Sequence, residues 1–240
     1  MSAALRKVIV SSVLVAAGFS GLTATAATAA PPAPAVAATA AVGAQPAASQ
    51  VTAAKAASKK VLDHTVFKQN LPYNCGPSAT LIVLSTWGIK AKTLGFASNS
   101  AFTKWIGRQE RTTSSGTNSI HDIVRGLSAA IKKHGKGGEK FYTATMISGV
   151  YASASDKAKL KKAIVLDVDS FRHGIVANVI GTAYDTSGVR HRYSGGHYLA
   201  VVGYKDGGNT ARISDNATGR EYWMTTSRLA DWIGSKGYAH

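Results

Sequence analysis

The chain has 240 residues, 28 Lys and Arg against 12 Asp and Glu, and a single cysteine, Cys75. One cysteine excludes an intrachain disulfide, so the fold has to stand on its core alone. The net charge of +16, or +14 with Arg6 and Lys7 set aside, draws a protein to anionic polymers, and an anionic cell-wall polymer is the expected contact; no motif points to specific nucleic acid or to a phosphate loop.

In chain order, the first segment reads as an address. Arg6 and Lys7 form a short basic start, residues 8–17 are apolar, and Ala27-Thr28-Ala29 suits a signal peptidase. The apolar run falls short of the roughly 20 residues that a helix needs to span a bilayer, and no later stretch reaches that length. Residues 1–29 are therefore expected to be a signal peptide and the protein to be secreted. Residues 30–58 are nearly all Ala, Pro, Val, Thr, Gln and Ser. They have too little large apolar surface to offset their own ordering and read as a linker or pro-segment. Residues 59–240 hold every acidic residue and the cysteine, and are enough for one domain with a proper core. A monomer is expected.

Residues 61–74 read as extended loop. Pro77 suits the first turn of a helix, where its missing N–H is not needed, and Asn74 or Gly76 can serve as N-cap. Residues 78–87 hold no breaker and are too apolar for a surface helix. The pattern predicts a buried helix with Cys75 at its N-terminus and Gly88 just past its end. Two more helices follow, one around residues 101–106 and one over 119–134, with Asn118 or Ser119 as cap and Ile120, Ile123, Val124, Leu127 and Ile131 on one face. Residues 135–138 break the chain. A strand is expected over 141–147, a short basic helix over 156–162, and a buried strand over the continuous apolar run 163–168. Another strand covers 198–204. Asp206-Gly207-Gly208-Asn209 is a hairpin turn, and 211–215 is the returning strand. One more strand over 221–224 and a closing helix over 227–233 complete the order. Helices first and an antiparallel sheet after them make an α+β fold.

A cysteine nucleophile reacts as its thiolate, and free Cys is mostly protonated at neutral pH. A helix N-terminus and a neighbouring imidazolium both lower its pKa. The base needs an orienting group, and a donor must face the oxygen on which charge develops. The chain offers each part. Gln69 lies six residues before Cys75 with an amide able to donate, beside the Cys75 backbone N–H. His197 follows Gly195-Gly196 and opens an apolar strand. Asp215 ends the next strand, across the hairpin, where the two could meet. A metal pair of His191 and His197 has no ligand-like spacing, and no metal or cofactor is expected.

Gln69-Asn70-Leu71-Pro72-Tyr73-Asn74-Cys75-Gly76-Pro77 resembles the active-site segment of the papain-like cysteine peptidases, Gln-x5-Cys-Gly. The Cys75-Gly76-Pro77-Ser78-Ala79 form is most similar to the bacteriocin-leader-processing (double-glycine) peptidases and their stand-alone secreted relatives. Gly196-His197-Tyr198 and Ser214-Asp215-Asn216 resemble that family's histidine and aspartate segments. The likeness spans about residues 65–235, with 90–160 poorly matched. It implies a papain-like fold, a helical lobe facing a sheet lobe, with nucleophile Cys75, base His197, orienter Asp215 and oxyanion donor Gln69. Family members that process leaders are fused to a transporter and an ATPase; no such part is seen here, so double-glycine specificity is not carried over. Asn216 stands where Pro is frequent, which leaves Asn216 open as the orienting residue. The expected function is peptide-bond hydrolysis by a secreted cysteine peptidase acting on peptide or protein. The rival readings are a wall amidase or transglutaminase-like acyltransferase with the same triad, and a non-catalytic peptidase-like protein held on anionic wall polymers.

Overall fold

The computed structural model describes residues 57–135 and 142–240. The expected signal peptide, and the linker up to residue 56, lie outside the described residues, as do 136–141.

Among the described residues one antiparallel sheet runs through the protein. Its strands are β1 (Lys60–Val61), β2 (Ala144–Thr145), β3 (Ile175–Tyr184), β4 (Arg190–Lys205), β5 (Thr210–Asp215), β6 (Arg220–Thr225) and β7 (Tyr238–Ala239). They lie in the order β2-β7-β3-β4-β5-β6, and β1 adds to β4. The helices are α1 (Cys75–Thr86), α2 (Asn99–Gln109), α3 (Ile120–Lys133), α4 (Ala154–Leu166) and α5 (Thr226–Ile233).

The sheet is covered on both faces. Val176, Tyr198, Ala200 and Val202 point into the core shared with α1, α2 and α3. Their strand neighbours Ile175, Ala177, Leu199 and Val201 point the other way, into the core shared with α4 and α5. Because successive strand residues face opposite sides, a strand buried on both reads as an unbroken apolar run, as residues 198–204 do. At Gly203 strand β1 comes so close that an added Cβ would lie 2.6 Å from the Lys60 carbonyl oxygen, so no larger residue fits there.

Helix α1 is buried all round, from Gly76 to Ser85, as its uniform apolarity predicts. Gly88, at φ 76°, follows it in the left-handed conformation that closes helices. Ser98 and Ser119 cap α2 and α3 by accepting from the N–H groups of Ala101 and Asp122.

Three expectations need correction. The apolar run 163–168 is not a strand. Helix α4 starts with a capping box of Ser153 and Asp156 and runs to Leu166, and one π-helical turn follows over Asp167–Phe171. The buried residues of this stretch are Leu160, Ala163, Ile164, Asp167 and Val168, a helical stripe, while Leu166 is 41% exposed. The short strand expected over 141–147 shrinks to Ala144–Thr145, and Phe141 lies outside the described residues. The centre of the sheet is β3, which lies outside the expected strands, and β4 begins at Arg190, well before Tyr198.

Candidate active site

Cys75 is the first residue of α1, after Asn74, and no acidic side chain occupies the helix's first turn. The positive end of the helix dipole is therefore not offset by a carboxylate on that turn. The His197 imidazole and the backbone N–H groups of Tyr198 and Gly76 lie beside the Cys75 thiol and favour its ionised form. Burial pushes the thiol up, but the bond and charge of His197 and these backbone donors outweigh it, and the thiol sits below its ordinary value.

His197 lies on β4 opposite Val179 of β3, just where the pairing shifts register. Gly196 before it has φ 89°, a left-handed conformation that a side chain would resist. This kink ends one stretch of regular pairing and aims the imidazole at the start of α1. His197 Nε2 is 3.2 Å from Asp215 Oδ1, which leaves Nδ1 for the thiol. Burial pulls the imidazole down, but Asp215 and Cys75, by bond and charge, raise it above its ordinary value.

Asp215 is the last residue of β5 and is 1% exposed. Besides His197 it accepts from the Tyr193 hydroxyl at 2.5 Å, the Tyr222 hydroxyl at 3.4 Å and the Ala217 N–H at 2.9 Å. Burial raises its carboxyl, and His197, Tyr193 and Ala217 more than reverse that, so it is held below the usual carboxylate range. A buried carboxylate with this many donors stays ionised and keeps its partner oriented.

Asn216 does other work. Its Nδ2 donates to the Cys75 carbonyl at 3.0 Å and to the Tyr198 carbonyl at 2.9 Å. One side chain thus ties the helix that holds the cysteine to the strand that holds the histidine. Of the two residues left open as partners of the imidazole, Asp215 makes the contact. The Asn216 carbonyl oxygen accepts from the Gln69 N–H at 2.8 Å, which fixes Gln69 beside the same junction. The Gln69 amide donates to the carbonyls of Leu71 and Pro72, 2.9 and 3.2 Å away, within its own loop.

Two parts of the site had no counterpart in the sequence reading. Tyr193 both bonds Asp215 and stacks on the His197 ring, with centroids 4.0 Å apart. Its separation of four residues from His197 is no motif; only the irregular strand brings the rings together. Glu110 is the other. It is fully buried behind α1, where it accepts from Thr80 at 2.5 Å and Thr117 at 3.2 Å. A Cβ at Gly76 would lie 2.3 Å from Thr117 Oγ1 and 3.0 Å from Glu110 Oε2, so the residue after Cys75 has no room for a side chain. Burial raises the Glu110 carboxyl well above its ordinary value, against the smaller pull of its two hydroxyl donors.

His191 is engaged elsewhere, 3.2 Å from Asp185 and stacked on Tyr222. Among the described residues no three His, Cys, Asp or Glu side chains group as metal ligands, and no helix is long and apolar enough to cross a membrane.

Residues 61–240 match the family model described as the Peptidase_C39 like family. Among solved structures the chain is similar to the peptidase domain of Streptococcus ComA, a bi-functional ABC transporter involved in a quorum-sensing pathway. Identity to it is 17%, the match covers 75% of this chain and 96% of that one, and the TM-score is 0.43. No curated protein sequence matches.

Proposed function

The chain belongs to the Peptidase_C39 like family, and from that premise we propose that it is an active cysteine peptidase whose catalytic residues are Cys75, His197, Asp215 and Gln69. The observation that carries the reading is the continuous chain of contacts at one helix N-terminus: thiol to imidazole, and imidazole to a carboxylate 3.2 Å away.

In this reading the Cys75 thiolate attacks the peptide carbonyl. The imidazolium form of His197 stands ready to protonate the leaving amine, and Asp215 holds the ring in place. Negative charge on the carbonyl oxygen falls to the Cys75 N–H at the helix start and to the Gln69 amide, which exchanges one of its loop carbonyls for the substrate oxygen. Water activated by His197 then releases the acyl group. Export belongs to the proposal too, on the pattern of residues 1–29, with the high positive charge suited to anionic polymers outside the cell.

The test is the rate of Cys75 alkylation by iodoacetamide against pH, in wild type and in His197→Ala. The expected result is fast reaction that persists well below pH 7 and is lost in the variant. A single titration near the unperturbed thiol value of about 8.5, the same in both proteins, would overturn the proposal and favour a non-catalytic wall-binding role.

A further inference from the structure

A cavity of about 560 Å³ opens between the 70–74 loop and α2, and its wall includes Asn74, the residue before the nucleophile. Helix α2 meets the first turn of α1 at Gly107, where an added Cβ would sit 3.4 Å from the Pro77 ring. That close approach sets one face of α2 beside the start of α1. Lys104 and Arg108 lie on this face, one helical turn apart, and both line the cavity. The opposite wall is tied internally: Asn74 donates to Asn70 at 3.3 Å, and the Gln69 amide holds the Leu71 and Pro72 carbonyls. The cavity is therefore built before any ligand arrives.

Its charge is one-sided. No Asp or Glu lines it, and among the described residues neither Lys104 nor Arg108 forms an ion pair. The ion pairs of this basic surface lie elsewhere, among them Lys60 with Asp169, Lys157 with Asp231 and Arg212 with Glu221. The acid next to Arg108 in sequence, Glu110, is turned into the core behind α1 and bonded to Thr80 and Thr117. Two exposed cations one helical turn apart, on the wall of a pocket that reaches Asn74 beside Cys75 and carries no carboxylate, suit a carboxylate brought from outside.

We infer that this cavity is a specificity subsite that receives an acidic side chain of the substrate, a few residues from the scissile bond, through Lys104 and Arg108. The inference rests on the peptidase reading and names the class of peptide it would favour.

The test uses peptidyl acyloxymethyl ketones, in which the Cys75 sulfur displaces the carboxylate leaving group and forms a thioether. Glu is placed in turn at each of the residues preceding the electrophile, and each probe is paired with a Gln twin. Labelling of Cys75 is timed by intact-protein mass spectrometry. The expected result is one position at which the Glu probe reacts about tenfold faster than its twin, with the advantage shrinking as salt is added. The Glu/Gln ratio should fall to about one in Lys104→Gln/Arg108→Gln. It should turn in favour of a Lys-bearing probe in Lys104→Glu/Arg108→Glu. Equal rates for every twin pair, or an advantage that survives the double substitution, would overturn the subsite while leaving the peptidase reading intact. Peptidyl probes that label Cys75 no faster than they label a small free thiol would overturn the peptidase reading, and the subsite with it.

Discussion

Cys75 stands at the head of a helix enclosed on every side, whereas His197 stands at an irregularity within β4 and Asp215 at the end of β5, and the two regions are held by different means. The cysteine is positioned by backbone: the turn of α1, the N–H groups of Gly76 and Tyr198, and the fit of Gly76 against Thr117. The imidazole and its carboxylate are positioned by side chains, with Tyr193, Tyr222 and His197 all converging on Asp215. A backbone-built region resists exchange of its neighbours but tolerates no added bulk. A side-chain-built region tolerates small changes of shape but answers to the loss of single hydroxyls. Asn216 joins the two.

The largest effects should come where the two regions meet in chemistry. Cys75→Ala should abolish peptide hydrolysis, a loss of about 10⁴-fold or more, measured on any peptide the wild type cleaves. Asp215→Asn should cost about 10²- to 10⁴-fold in kcat and move the pH dependence as well. In the wild type the thiol is moved down and the imidazole up, the directions that favour a thiolate–imidazolium pair, the reactive form in the proposed mechanism. Activity should rise with pH as the thiol ionises and fall as the imidazole loses its proton. Without Asp215 the imidazole loses the partner that raises it, so the alkaline limb should move to lower pH.

Asn216→Ala breaks the tie itself. It leaves the Cys75 and Tyr198 carbonyls without this donor, and unfolding in urea should show a loss of about 2–4 kcal/mol. A protein unfolding with unchanged stability would mean that the two regions are not joined there. Tyr193→Phe tests the side-chain-built region alone. It removes one donor from Asp215 but keeps the ring on His197, and about tenfold in kcat/KM is expected, with no change in the rate of folding.

The smallest effect tests the backbone-built region. The Glu110 carboxyl is raised by burial from an ordinary value of 4.5, so the folded protein keeps a proton that the unfolded chain releases. That contribution is complete below pH 4.5 and is lost as pH rises through the raised value. Glu110→Gln keeps the neutral shape without the proton. Its stability relative to wild type should therefore improve steadily above pH 4.5, read from urea midpoints across a pH series. A constant difference would mean that Glu110 is already ionised behind the helix.

Much of this was legible in local sequence, for identifiable reasons. Pro77 and an unbroken apolar stretch announce a buried helix with Cys75 at its head, and the turn at Asp206-Gly207-Gly208-Asn209 announces the hairpin that carries Asp215 back along the histidine strand. Each depends on residues next to one another, where backbone sterics and burial decide the outcome. Residues 163–168 were misread because a short apolar run fits a buried strand and a buried helix alike, and only packing against the sheet separates them. Strand β3 escaped notice although Ile175-Val176-Ala177-Asn178-Val179-Ile180 has the composition of a sheet's centre.

Tertiary structure alone decided the rest. Asp215 and Asn216 are adjacent and both can face an imidazole, but Asp215 closes the strand and Asn216 opens the turn after it, and the change of backbone direction sends Asp215 to His197 and Asn216 to Cys75. Tyr193 reaches the site through an irregular strand, and Glu110 and the cations of α2 reach it through a helix packed edge to edge with α1. By itself the sequence determined which residues could do the chemistry, because their types and local turns are written in neighbouring positions. Which of them touch was settled by contacts between distant segments, whose geometry is set only once both faces of the sheet are covered.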